Sequence, residues 1–301
     1  MSARVRAYLL LFIVSAIWGI AGPVIKYTLE FIPPGIFLLY RFAIAGIFAA
    51  ITLSLTKNHW PKSNSQKFWI FLYCFLNTTV VLGLLFLGYA KTSAITGSLI
   101  NAVYPVIVAV VGVVFLKEHV THREKLGIAI TLAGVGLTII NLNAITFEGN
   151  LLILASLIVG VISAVMAKLL LRRNLSPFAL TQLSFLVGLI TLTPLVFFSY
   201  PPTSVFQLLT SIPASAHLGV WYMALLSGTL AYSLWHIGQK SIEIGETALF
   251  SYLYPIFVIP LSFFWLHEQI TWVHWTSAAI IATGVITAQM KPRISPPSGH
   301  R

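Results

Sequence analysis

Residues 88–137 read GYAKTSAITGSLINAVYPVIVAVVGVVFLKEHVTHREKLGIAITLAGVGL, and residues 238–287 read GQKSIEIGETALFSYLYPIFVIPLSFFWLHEQITWVHWTSAAIIATGVIT. The second follows the first at a fixed offset of 150 residues without a gap. Tyr104-Pro105 falls on Tyr254-Pro255, Glu118 on Glu268, Thr121 on Thr271, Gly88 on Gly238 and Gly134 on Gly284. In so apolar a chain a shared Leu or Val carries little weight. Coincidence at Pro, Glu, Tyr and Gly carries more, and self-similarity at one period marks a duplicated architecture.

Working outward, the composition bounds the class. The 301 residues are 58% hydrophobic and only 8% charged, against about 25% charged in average soluble chains. This predicts an all-α polytopic membrane protein. All seven acidic residues are Glu, which removes most chemistry that needs paired aspartates. The net charge of +11 invites a nucleic-acid reading, but basic residues gathered in cytoplasmic loops explain it better, so no nucleic-acid partner is expected. Cys74 is the single cysteine, which excludes an intramolecular disulfide. The basic, apolar N-terminus is read as a retained first span, since no small-residue cleavage site follows a short core.

Ten apolar segments of spanning length can be marked, at roughly 7–26, 34–56, 68–90, 94–116, 124–142, 149–171, 178–199, 216–239, 246–266 and 272–290. A short interfacial helix is expected around Tyr200-Pro201-Pro202. Two five-helix units follow, residues 1–143 and 144–290, with a disordered cytoplasmic tail over 291–301. With the N-terminus inside, fifteen of the eighteen Lys and Arg fall in inside segments. These are Arg4 and Arg6; Lys57, Lys62 and Lys67; Lys117, Arg123 and Lys125; Lys168, Arg172 and Arg173; Lys240; and Lys291, Arg293 and Arg301. Both termini are therefore expected in the cytoplasm. Trp60, Trp69, Trp272 and Trp275 sit at expected span ends, where amphipathic rings favour the interface.

Five spans is an odd number, so the second unit must enter the membrane upside down relative to the first. A span of ~23 residues covers ~34 Å, which puts Pro105 and Pro255 near the midplane, approached from opposite sides. Inverted repeats with helices broken at the midplane are a recurring plan of secondary transporters.

Pro105 and Pro255 are thus hinge candidates, each freeing a carbonyl one turn earlier. Asn101 and Ser251 stand there. They either satisfy their own helix or open toward a central cavity, with Tyr104 and Tyr254 as its aromatic walls. Asn77 in the third span, and Tyr232 and Trp235 in the eighth, join them, as does Trp18 beside Gly19. Substrate binding is accordingly expected at Trp18, Asn77, Asn101, Tyr104, Tyr232, Trp235, Ser251 and Tyr254. Arg41 either snorkels to the outer surface or is buried as a gate. His236 is the one titratable group well inside a span of the second half, a structural hydrogen bonder or a protonation site. Lys168 can snorkel. Glu118 and Glu268 end corresponding helices and read as capping or pairing groups for the next span. Gly127, Thr131, Gly134 and Thr138 form a small-residue ridge for close helix contact or a homodimer face.

The Trp18-Gly19 pair, Tyr40-Arg41-Phe42, Thr92-Ser93-Ala94, the paired Pro105/Glu118 and Pro255/Glu268, and Gly134-Val135 with Gly284-Val285 together resemble the EamA-like transporters of the drug/metabolite transporter superfamily. The likeness covers the whole chain. It implies a central cavity lined by spans 1, 3, 4, 6, 8 and 9, and alternating access. It also implies export or exchange of small metabolites such as amino acids, without fixing the substrate, across the plasma membrane, in bacteria the inner membrane. Small multidrug members use a membrane-embedded Glu in the first span, and this chain has none there. Neither cofactor nor metal is expected, and no catalytic residue is assigned. The alternatives are an intramembrane enzyme, which lacks an evident dyad or HExxH, and a receptor or structural protein, for which inverted duplication has no evident purpose.

Overall fold

The computed structural model describes residues 3–56, 63–116, 121–140, 144–173 and 175–289. The basic tail, Glu118, Lys57, Lys62 and Lys117 lie outside the described residues. Among those described, every regular element is helical. In chain order they are α1 (Ala3–Thr28), α2 (Pro34–Leu55), α3 (Asn64–Lys91), α4 (Ala94–Asn101 continued by Tyr104–Leu116), α5 (His122–Ile139) and α6 (Ala144–Arg172). Then follow α7 (Pro177–Ser199), the short α8 (Pro202–Ser211), α9 (214–241), α10 (Ile244–Trp265) and α11 (Trp272–Gln289).

Seven of these, α1, α2, α3, α4, α6, α7 and α10, are long and apolar enough to cross a membrane. The other three expected spans fall short for visible reasons. The first turn of α5 is His122-Arg123-Glu124-Lys125, α11 has a shorter apolar stretch, and α9 is diluted by polar groups such as Ser227, His236 and Gln239. Large apolar side chains lie bare on the outside of the bundle, among them Leu55, Phe198 and Phe264, as a lipid-facing surface requires. The α8 helix extends the expected interfacial turn to ten residues, with Val205 buried and Phe206 exposed.

Local chemistry sets the helix ends. Pro34, Pro177 and Pro202 begin helices, where the missing N–H costs nothing. Ser93 and Ser176 cap α4 and α7 by accepting from Thr96 N and Ala179 N. Thr121 and Glu124 close a capping box on α5. At the same place on α11, His274 Nδ1 accepts from Thr271 N at 3.1 Å, standing where Glu124 stands.

Glu268 does not serve the helix that follows it. It accepts from Ala94 N at 2.7 Å and Ile95 N at 3.0 Å, so its carboxylate meets the positive end of α4. A carboxylate unfavourable to its own helix end is thereby compensated by a neighbour's dipole, which sequence distance had hidden.

Two irregularities recur at the 150-residue offset. The α4 helix breaks at residues 102–103, and α10 tightens to a 3-10 turn at Leu249–Leu253, each just before its Tyr-Pro. The α3 helix widens to a π-helix at Phe75–Val80 and α9 at Tyr222–Leu230. In α9 the Thr229 hydroxyl donates to Ala224 O, five residues back, which suits the wider turn. Inserted π turns are frequent at functional sites.

The small-residue ridge of α5 packs within the chain, against α11. A Cβ on Gly127 would lie 2.6 Å from Gly284 O, and one on Gly284 would lie 2.6 Å from Thr131 N. The ridge is therefore occupied, and a second copy would need another face. Gly284→Val is expected to abolish the monodisperse, folded protein, because the clash is with backbone that cannot step aside. Gly136→Ala meets nothing within 4 Å and should be neutral or stabilising by up to ~1 kcal/mol. Thermal unfolding of the purified variants checks both.

Candidate functional site

Inside the bundle lies a cavity of about 170 Å³. Its wall comes from α1, α2, α3, α4, α6, α9 and α10, and it brings together all eight residues expected to bind substrate, with Arg41 and His236. Pro105 and Pro255 do not line it; they shape the helices that do.

Trp18 forms the centre of the aromatic side. Its ring lies 5.0 Å from Tyr232, 5.1 Å from Trp235 and 6.3 Å from Tyr254 between centroids. Its indole N–H donates to Ser227 O at 3.0 Å, and Tyr222 donates to Ile17 O at 2.7 Å. Both bonds tie α1 to the π-helical stretch of α9.

Asn101 and Ser251 each bond to their own helix, Asn101 Nδ2 to Gly97 O at 2.8 Å and Ser251 Oγ to Ala248 O at 2.9 Å. Both also line the cavity, so the two readings of these residues are compatible. Asn77 sits within the π turn of α3 and faces the same space.

Arg41 does not snorkel. It is 1% exposed and lines the cavity, with its guanidinium 5.6 Å from the Phe86 ring and 5.9 Å from that of Phe185. Nor does Lys168: it is 7% exposed, and its ammonium donates to Gln239 O and Ile242 O. Those carbonyls close the C-terminal end of α9, and a cation is favoured there. His236 is held from both sides, Nε2 by Tyr73 OH at 2.9 Å and Nδ1 by Thr181 Oγ1 at 2.8 Å.

Polar contacts tie the helices together toward both ends of the bundle. At the end that holds the N-terminus, Arg4 pairs with Glu246 at 2.6 Å, Tyr8 bonds the same carboxylate, and Ser15 donates to Phe250 O at 3.0 Å. Lys168 braces this end. At the opposite end Lys26 donates to Tyr89 O at 3.1 Å, Lys91 pairs with Glu148, and Tyr27 bonds Ser215 at 2.7 Å. Residues 89 and 239 are equivalent at the 150-residue offset, so each end is tied by a lysine to the same carbonyl of its half.

Sequence reading missed Tyr73 and Tyr89, which also line the cavity. Tyr73 left no signal, lying in an apolar run. Tyr89 could have been found from its repeat partner Gln239, itself polar and within a span.

The EamA-like transporter family profile matches residues 5–140 and again 147–289. The chain belongs to the EamA-like transporter family. It is similar to Bacillus subtilis YyaM, described as an uncharacterized transporter, with 27% identity over 304 residues, covering 97% of this chain and 96% of the relative. An uncharacterized transporter of Archaeoglobus fulgidus is 24% identical over 282 residues, covering 93% of this chain and 97% of that protein. A protein of known crystal structure superposes with a TM-score of 0.67 at 16% identity, covering 95% of this chain and 97% of the other. That likeness shows the fold. The EamA match and the apolar helices make this chain a multi-pass membrane protein.

Proposed function

We propose that the protein is a secondary transporter of small metabolites, with export of amino acids or related compounds as its leading activity, working by alternating access around the central cavity. The observation that carries this reading is a polar and aromatic cavity lined by both halves, with lysine-to-carbonyl ties toward each end of the bundle. Ten spans in two inverted five-helix units, residues 1–143 and 144–290, fit the paired chain breaks and paired π turns. The packing agrees: α1 lies on α9 and α10, as α6 lies on α3 and α4. Each unit thus supplies helices to the other's wall, the arrangement in which rocking one unit exposes the site to either side.

Both termini lie in the cytoplasm on this reading, in the bacterial inner membrane. A cysteine placed beside Glu148 should react with an impermeant maleimide from outside, and one beside Arg173 should not; the reverse pattern overturns the orientation. Driving force comes from the substrate's own gradient. Among the described residues the transmembrane helices present no buried carboxylate, and both nitrogens of His236 are engaged by hydroxyls. The test of the function is counterflow of labelled amino acids and related solutes in proteoliposomes. Saturable exchange is expected, and uphill movement on a pH gradient alone would refute the driving force. No saturable flux of any solute would leave transport unsupported and reopen the enzyme and receptor readings.

A further inference from the structure

Among the described residues, Arg41 is a buried cation without a counterion. Its Nε and Nη1 are buried and have no hydrogen-bond partner. Structural cations in an interior are normally paired and hydrogen-bonded, since desolvation is otherwise uncompensated. Here the described partners are the ring faces of Phe86 and Phe185, which orient a guanidinium but satisfy none of its N–H groups. Among the described residues the cavity wall contains neither Lys nor any acidic residue, so Arg41 is the one permanent charge among them on it. Among the described residues, the carboxylates of Glu246, Glu148, Glu124 and Glu268 are engaged at the bundle's ends, on Arg4, Lys91, the Thr121 cap and the N-terminus of α4.

The cavity reaches this cation, since Arg41 lines the same space as Trp18 and Tyr232. Gly228, in the π turn of α9, is closely packed: a Cβ there would stand 2.9 Å from Met223 O and 3.2 Å from the Phe185 ring that flanks Arg41. The neighbouring residue, Ser227, is the one whose carbonyl holds Trp18. Tyr232 joins the two regions, its ring 6.0 Å from Phe185 and 5.0 Å from Trp18. A fixed positive fork and an aromatic wall therefore face one small space.

We propose that Arg41 is the anion-binding residue of the cavity, and that the substrate is a compact organic carboxylate whose apolar or aromatic body lies against the Trp18 cluster. A planar guanidinium matches a carboxylate with two parallel N–H donors. Amino acids fall within this class, and simple cations and neutral amides fall outside it. The inference rests on the transport reading for its biological use, but the binding site can be tested without it.

The probes are 3-phenylpropionate and L-phenylalanine, with 3-phenylpropanamide as the neutral match, added to the purified full chain during thermal unfolding. The acids are expected to stabilise the wild type at concentrations about tenfold or more below the amide, as charge-assisted hydrogen bonds imply. Arg41→Gln should bring acid and amide within about twofold of each other, and Arg41→Lys should keep part of the difference. Should Arg41→Gln fail to fold, the comparison of acid with amide on the wild type still decides. Equal stabilisation by acid and amide, no stabilisation by either, or full replacement of the acid's effect by chloride at the same concentration would overturn the site. Flux of the same probes in proteoliposomes separates the two claims. Acid-selective binding without flux keeps the anion site and removes transport. Equal flux of acid and amide keeps transport and removes the anion site.

Discussion

Lys168→Met and Lys26→Met should push the cavity open in opposite directions. Each lysine donates to a backbone carbonyl at one end of the cavity, Lys168 to Gln239 and Ile242 and Lys26 to Tyr89. A hydrogen bond to a charged group contributes about 1.5–3 kcal/mol, and ~1.4 kcal/mol is tenfold in a population. Lys168 is the more buried and makes two such bonds, so its loss should favour opening toward the N-terminal side by tenfold or more. Lys26 is partly solvated and should give a smaller shift toward the other side. Methionine keeps most of the stem's packing while removing the charge. A reporter cysteine at Asn101, in a Cys74→Ala background, would read the shift as labelling rates by an impermeant maleimide from each side. Shifts in the same direction, or none, would show that these lysines stabilise the fold without governing access. The two accepting carbonyls, of Tyr89 and Gln239, stand at equivalent positions of the two halves, so opposite signs are expected from the repeat although the lysines themselves are not equivalent.

The sequence made some of this legible because the repeat could be read at polar and kinking residues. Tyr104-Pro105 and Tyr254-Pro255 located the breaks in α4 and α10, and the polar groups stacked near them located the cavity wall. Side-chain direction was harder. Arg41 and Lys168 could each snorkel by position, since nothing in a linear pattern says which face of a helix meets lipid. Packing decided it: Phe86 and Phe185 enclose Arg41, and the end of α9 offers its carbonyls to Lys168. The role of Glu268 was hidden in the same way, because its partner α4 is some 170 residues earlier in the chain. The π turns had no sequence signature. They come from a single extra residue per turn, which apolar periodicity blurs over, yet they place Asn77 and Ser227 on the cavity.

Trp18→Ala should be the most damaging single change in the cavity wall. The indole touches Tyr232, Trp235 and Tyr254 and donates to Ser227 O. Truncating a large buried aromatic costs about 3–5 kcal/mol, and here it also frees a carbonyl of the π turn beside Gly228. Trp18 is half-buried rather than sealed in the core, so the lower part of that range applies to stability and the remainder falls on the site. Loss of saturable flux by about 100-fold or more is expected, with a clear drop in melting temperature. Trp18→Phe separates the two contributions: a phenyl ring retains most of the aromatic contact, worth about 0.5–1.5 kcal/mol per pair, but cannot donate to Ser227. Its melting temperature should stay near that of the wild type while the KM of the transported solute rises several-fold with little change in maximal rate. If Trp18→Phe and Trp18→Ala lose stability equally and KM is unchanged in both, Trp18 is a packing residue only, and the aromatic wall of the site must be sought at Tyr104 and Tyr254.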